Sequence, residues 1–127
     1  MSGRLQDRVA IVTGAGCVGP GWGNGRATAV RSAEEGVVTH QCDVTGSASV
    51  EIMAKTCLDR FGRIDILVNN VGGSAHGGPV EMSEDVWDAQ VDYNLKSVFL
   101  TLKHVLPLLE KQKAGAIINI ASTSGLR

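Results

Sequence analysis

The hydrophobic positions fall into short unbroken runs, separated by stretches of helical period, with glycine at most of the joints. Val9-Ala10-Ile11-Val12 runs without alternation to Thr13. A strand buried on both faces reads this way, and such strands belong to parallel sheets. After a glycine-rich stretch, Ala27, Val30 and Ala33 space out a helix that Gly36 closes as a C′ residue. Val37 to Val44 follows at once, and β-branched Val37, Val38 and Thr39 predict a second strand. Thr45-Gly46-Ser47 then caps a helix whose inward face is Val50, Met53, Ala54, Cys57, Leu58 and Phe61, with Gly62 as its end.

Ile64 to Val68 predicts the third strand, and Asn69 to Pro79 a glycine-rich loop containing His76. Ser83 reads as an N-cap, with Glu84 and Asp85 in the first turn, where carboxylates suit the helix dipole. From there a helical period runs through Trp87, Val91, Leu95, Val98, Leu102 and Val105 to about Gln112. Pro107 should kink that helix or break it near Lys103. Gly115 turns the chain into Ile117 to Ala121, a fourth strand. Alternating strand and helix implies the α/β class, with a parallel sheet of about four strands in one domain over residues 1–127. Val37–Val44 is expected beside Val9–Thr13, laddered to it in parallel and reached by a right-handed crossover.

Composition changes this picture little. The chain has 127 residues, 43% of them hydrophobic, which suits a folded domain with a modest core. The formal charge is −1 without a basic run, so nothing points to nucleic acid or to an anionic membrane. No apolar stretch approaches the roughly 20 residues of a membrane span, and the polar start is unlike a signal peptide. Three scattered cysteines suit a reducing compartment, hence a cytoplasmic expectation. His40, Cys42, Cys57 and His76 match no compact ligand spacing, so no metal site is assigned.

The candidate chemistry begins at the first glycines. Strand, glycine loop and helix together make an anion cradle, because glycines let backbone N–H groups approach a phosphate and the helix N-terminus adds partial positive charge. Gly14-Ala15-Gly16-Cys17-Val18-Gly19 matches the generic GxGxxG string. In that register Pro20, Gly21, Gly23 and Gly25 would fall in the first helical turns, at about 1 kcal/mol per glycine and about 3 for the proline. A helix starting after Asn24, a good N-cap, avoids this cost. Thr13-Gly14 then stands at the strand end and Gly23-Asn24-Gly25 at the helix start.

In that register the stretch resembles the TGxxxGxG motif of the short-chain dehydrogenase/reductase family, lengthened by an insertion. Asp43-Val44, Asn69-Asn70-Val71-Gly72, Asn94 and Asn119-Ile120-Ala121-Ser122 continue the resemblance in order. It implies an incomplete Rossmann-like, doubly wound parallel sheet, and an oxidoreductase moving hydride between NAD or NADP and an alcohol or ketone. By the same resemblance Thr13, Gly14, Gly23, Asn24 and Gly25 hold the pyrophosphate. Asp43 accepts from the adenine amino group, with Val44 beside the ring, although its spacing also suits a ribose hydroxyl and its position an N-cap. Asn69, Asn70, Val71 and Gly72 steady the sheet and line the cofactor, Val71 replacing the family's alanine. Ser122 binds the substrate oxygen, and Asn94 holds a water of the proton relay.

Two departures bear on that expectation. A βα unit of roughly 25 residues is expected between Gly36 and His40 and is not there. The family's Tyr-x-x-x-Lys has no match, since Tyr93 is the only tyrosine and Ser97 stands four places after it. The rival reading is therefore a non-catalytic dinucleotide-binding fragment or interaction module, and a third is a chain too incomplete to fold stably. The lack of a basic residue from Ala15 to Asn24 leans towards NAD, because a 2′-phosphate calls for Arg or Lys. Substrate and oligomeric state are left open.

Overall fold

The computed structural model describes residues 5–15 and 40–122. The helix expected over Ala27–Ala33, the positions Val37–Thr39, and Gly23, Asn24 and Gly25 lie outside the described residues. Three strands form one parallel sheet in the order β1 (Ala10–Val12), β2 (Ile66–Asn69), β3 (Ala116–Asn119). Register sets Ile11 beside Leu67 and Leu67 beside Ile117, so that row shares one face of the sheet. Two helices cover it: α1 (Ser47–Phe61) and α3 (Ser97–Gln112), which also pack on each other. Ile11, Ile64 and Leu67 meet Val50, Met53 and Ala54 of α1 and Leu100, Val105 and Leu109 of α3 in one core. A short helix α2 (Glu84–Val91) precedes α3, joined to it by a single π turn over Asp92–Lys96.

Opposite the strands' C-terminal ends, Asp65 staples the sheet. Its side chain is only 4% exposed. One carboxylate oxygen accepts the Val9 N–H at 2.9 Å, and the pair is held by the Arg63 guanidinium at 2.6 and 2.8 Å and by Arg8 at 3.3 Å. Burial pushes the Asp65 carboxyl up, but the hydrogen bonds from Arg63, Val9 and Arg8, with the guanidinium charge, outweigh it and hold the group below its ordinary value. Gln112 extends the staple, donating to the Ile64 carbonyl at 2.6 Å and accepting the Ile64 N–H at 3.2 Å.

Several expectations need correction. Three strands, not four, stand among the described residues. Residues 40–44 of the expected second strand are irregular chain and a turn, with no ladder to β1. They are already committed to the approach of α1: the Asp43 N–H donates to Ser49 Oγ at 2.9 Å, and the Gly46 N–H to the Asp43 carbonyl at 3.2 Å. Gly46 is the N-cap of α1 without a side-chain cap bond, and Phe61 of the expected inward face is 42% exposed. Gly62 does end α1, in the left-handed conformation. The fourth predicted strand is Ala116–Asn119 rather than Ile117–Ala121.

The long helix departs further. It continues through Pro107 without the expected break near Lys103. Its predicted stripe holds at Val105 but fails at Trp87 and Leu95, which are 62% and 67% exposed. Ser97, Leu100, Thr101 and Leu109 are buried instead. No residue of α2 or of the π turn is buried, so this stretch turns no face to the core, and its periodic apolar positions stay in the open.

Candidate functional site

The C-terminal ends of the three strands bring together most of the described motif residues. Thr13 follows β1 and is buried. Its N–H donates to the Val68 carbonyl at 3.0 Å, carrying the ladder one residue past the strand. Its hydroxyl accepts the N–H groups of Asn70 at 3.1 Å and Val71 at 3.4 Å, and donates to the Val68 carbonyl at 3.4 Å. One hydroxyl thereby ties the turn after β1 to the turn after β2. Gly14 has φ 67°, and a Cβ there would stand 3.0 Å from Asn70 Nδ2 and 3.2 Å from the Val71 nitrogen. Asn70 Nδ2 also donates to the Gly14 carbonyl at 3.3 Å, closing the joint.

Asn69, the last residue of β2, is 4% exposed. Its Oδ1 accepts from Thr101 Oγ1 at 2.7 Å, and its Nδ2 donates to Asn119 Oδ1 at 2.9 Å. The Ile120 N–H donates to the Asn69 carbonyl at 3.0 Å. Asn69 therefore links α3, β2 and the end of β3, three residues before the exposed Ser122. Its side chain is spent within the protein, and Asn70, Val71 and Gly72 follow it in the loop leaving the sheet.

Asn94 sits in the π turn. Its Oδ1 accepts the Gly73 N–H at 2.9 Å, and its Nδ2 donates to the Gln90 carbonyl at 2.9 Å. The amide orientation follows from its partners, since an N–H can only donate and a carbonyl only accept. A Cβ on Gly72 would come within 3.2 Å of that same Oδ1. Asp43 lies on the approach to α1, fully exposed, and accepts the Thr45 N–H at 2.9 Å and the Thr45 hydroxyl at 2.7 Å. The Thr45 hydroxyl and N–H both hold its carboxyl below the ordinary value. Val44 beside it is buried.

Thr101 and Asn119 belong to this constellation and are absent from the sequence-based set. Asn119 is flagged by its place before Ser122, but Thr101 carries no sequence signal, as its buried hydroxyl acquires meaning only opposite Asn69. Among the described residues no three His, Cys, Asp or Glu side chains gather as a metal site. A shallow depression of about 360 Å³, lined by Gly77, Pro79, Met82 and Trp87 among others, includes none of the candidate residues. Among the described residues no helix is long and apolar enough to cross a membrane.

Known proteins share this arrangement. A family model described as short chain dehydrogenase matches residues 23–127. The crystal structure of a short-chain dehydrogenase/reductase from Burkholderia xenovorans superposes with a TM-score of 0.94 at 51% identity, covering 98% of this chain and 60% of that one. Levodione reductase from Leifsonia aquatica is 35% identical over 153 aligned positions, taking in 98% of this chain and 55% of its own. The chain thus spans little more than half the length of these relatives. That 153-position alignment exceeds the 127 residues of the whole chain, so within it the relative has positions with no counterpart here. Actinorhodin polyketide ketoreductase, solved with NADPH, matches 69% of this chain with a TM-score of 0.66 at 34% identity.

Proposed function

Because the chain belongs to the short-chain dehydrogenase/reductase family, we propose that it forms the dinucleotide-binding domain of an oxidoreductase acting on an alcohol or ketone. The observation that carries this is the convergence of Thr13–Gly14, Asn69–Gly73 and Asn119–Ser122 at the C-terminal ends of three parallel strands. Open α/β sheets take their ligands at that end. The residues fit a dinucleotide: Thr13 and Asn70 join the glycine turn after β1 to the Asn70–Gly72 turn after β2 at that end of the sheet, and Asp43 is an exposed acceptor. When bound, NAD or NADP supplies the hydride chemistry, and the protein supplies position and a proton path.

The residue roles follow the resemblance. Gly14, with Gly23, Asn24 and Gly25, cradles the pyrophosphate. Asp43 accepts from the adenine amino group, and Asn70, Val71 and Gly72 line the ribose region. Asn69 works from behind, holding the ends of β2 and β3 in register. Ser122 hydrogen-bonds the substrate oxygen. Asn94, with one acceptor lone pair left on Oδ1, holds a water of the proton path. Free Cys42 and Cys57 suit a reducing compartment such as the cytoplasm. Between the two cofactors, the absence of a basic residue from Ala15 to Asn24 favours NAD, while the ketoreductase relative was solved with NADPH.

Taken by itself, the 127-residue chain contains no Tyr-x-x-x-Lys. General acid–base help is typically worth about 10²–10⁴-fold, so the chain alone binds dinucleotide at best weakly and does not turn over substrate. The alternative role is accordingly a non-catalytic binding fragment or interaction module. The experiment is thermal stabilisation of the purified chain by millimolar NAD and NADP, with Gly25→Val as control, alongside a turnover assay over an alcohol panel. Stabilisation lost in Gly25→Val is expected. No stabilisation by either dinucleotide sinks the binding assignment, and turnover that disappears in Ser122→Ala sinks the inactivity.

A further inference from the structure

The π turn lays two consecutive side chains on two consecutive glycines. In a regular α-helix neighbouring side chains diverge by about 100°, so residues i and i+1 do not serve the same contact. Here Asn94 Oδ1 takes the Gly73 N–H at 2.9 Å and lies 3.2 Å from where a Gly72 Cβ would stand. Tyr93 Cε1 and Cδ1 lie 3.3 and 3.7 Å from where a Gly73 Cβ would stand. The widened turn is itself secured, because Asn94 Nδ2 donates to the Gln90 carbonyl at 2.9 Å and Ser97 Oγ to the Tyr93 carbonyl at 2.8 Å.

We propose that Tyr93 is a positioning residue whose ring, with the Asn94 amide, clamps the Gly72–Gly73 backbone that leaves β2. Two adjacent glycines have more conformational freedom to lose than any other pair of residues. A ligand that must order them binds more weakly than one that meets them already ordered. The Asn94 hydrogen bond fixes one point of the segment, the Gly73 nitrogen. The Tyr93 ring restricts the other side of Gly73, which nothing covalent occupies. The inference deepens the dinucleotide assignment and rests on it for its consequence, though the clamp exists without ligand.

The test has two arms. In the dinucleotide-free chain, hydrogen exchange of the Gly73 amide is compared for wild type, Tyr93→Ala and Tyr93→Phe. Protection should fall roughly tenfold in Tyr93→Ala, and Tyr93→Phe should restore it, because ring packing and not the phenol hydroxyl is at work. Titration with NAD or NADP should show affinity weakened about fivefold in Tyr93→Ala and preserved in Tyr93→Phe. A cycle with Gly73→Ala separates the clamp from general stability. The new methyl is crowded by the Tyr93 ring, so it should loosen binding in wild type and tighten it in Tyr93→Ala, where there is room. Unchanged Gly73 exchange in Tyr93→Ala, or additive effects in the cycle, would overturn the proposal. Should Tyr93→Ala fail to fold, Tyr93→Leu takes its place under the same criteria. A wild-type chain that binds neither dinucleotide refutes the functional assignment, and the exchange arm still decides on the clamp.

Discussion

Asp65→Asn perturbs the staple at the start of β2 while keeping its shape. The buried carboxylate serves the Val9 N–H and two guanidinium groups at once. An amide offers one acceptor oxygen and turns an NH₂ group towards donors. Hydrogen bonds to a charged group are worth about 1.5–3 kcal/mol each. Arg8 and Arg63 are about half exposed, at 52% and 49%, so water solvates them once the charge is gone. That discounts their share towards the surface-pair range of at most about 1 kcal/mol. The Val9 N–H is the more protected partner, and the net expectation is a loss of about 2 kcal/mol at neutral pH. For a chain of this size that is a fall in melting temperature of roughly 6–10 °C.

The pH dependence gives the sharper check. The folded-state carboxyl lies below its ordinary value of 3.8. Its stabilisation is therefore complete above the unfolded pKa and is lost as pH falls through the folded value. The gap between wild type and Asp65→Asn should be constant from neutral pH down to about pH 5, then close below about pH 4 as Asp65 takes up its proton. Asp43, also lowered, titrates in both proteins and cancels from the difference. Urea unfolding across that range measures the gap. A variant within about 0.5 kcal/mol of wild type at neutral pH, or a gap that does not close in acid, refutes the reasoning.

Gly14→Ala forces a methyl into a left-handed residue, 3.0 Å from Asn70 Nδ2 and 3.2 Å from the Val71 nitrogen. Asn70 can swing aside but backbone cannot, so urea unfolding should reveal a loss of about 1–3 kcal/mol; a neutral result would mean that the turn relaxes freely. Asn69→Leu removes the link between Thr101 and Asn119 at nearly constant volume. Thr101 Oγ1 keeps the Val98 carbonyl at 2.9 Å and Asn119 is exposed, so the expected cost is only about 1–2 kcal/mol. In Thr101→Val/Asn69→Leu the two losses should be less than additive, and strict additivity would argue against the Thr101–Asn69 bond.

What could be read locally was local in its physics. Unbroken apolar runs mark β1 and β2; in β2 Leu67 and Val68 are buried on opposite faces, whereas in β1 Ile11 is buried and Ala10 and Val12 are half-buried. Gly62 marks the end of α1 because it closes that helix at φ 73°, a conformation that favours glycine. Thr13-Gly14, Asn69-Asn70 and Asn119–Ser122 stood out because polar and glycine residues at the ends of apolar strands need a reason, and the hydrogen bonds of Thr13 and Asn69 that join the strand ends supply part of it. The class, the alternation and most of the candidate residues thus follow from the sequence by itself.

Tertiary structure decided whatever depends on a partner far along the chain. Residues 40–43 had the β-branched approach of a strand, but a strand exists only by its ladder, and Asp43 instead bonds Ser49 and Thr45 on the way into α1. Period counting placed Leu95 and Trp87 inside, but no residue of α2 or of the π turn is buried, since that stretch has no core to face. The π turn that breaks the period is secured by Asn94 against Gly73, 21 residues earlier, a contact invisible to any local window. Asp65 was only one position of the third predicted strand until folding brought the Val9 N–H, 56 residues away, within 2.9 Å. Thr101 read as one more helix residue until β2 set Asn69 opposite its hydroxyl. In each case the side chain's chemistry was written in the sequence, but burial, which makes an unsatisfied polar group costly and a satisfied one decisive, came only with the fold.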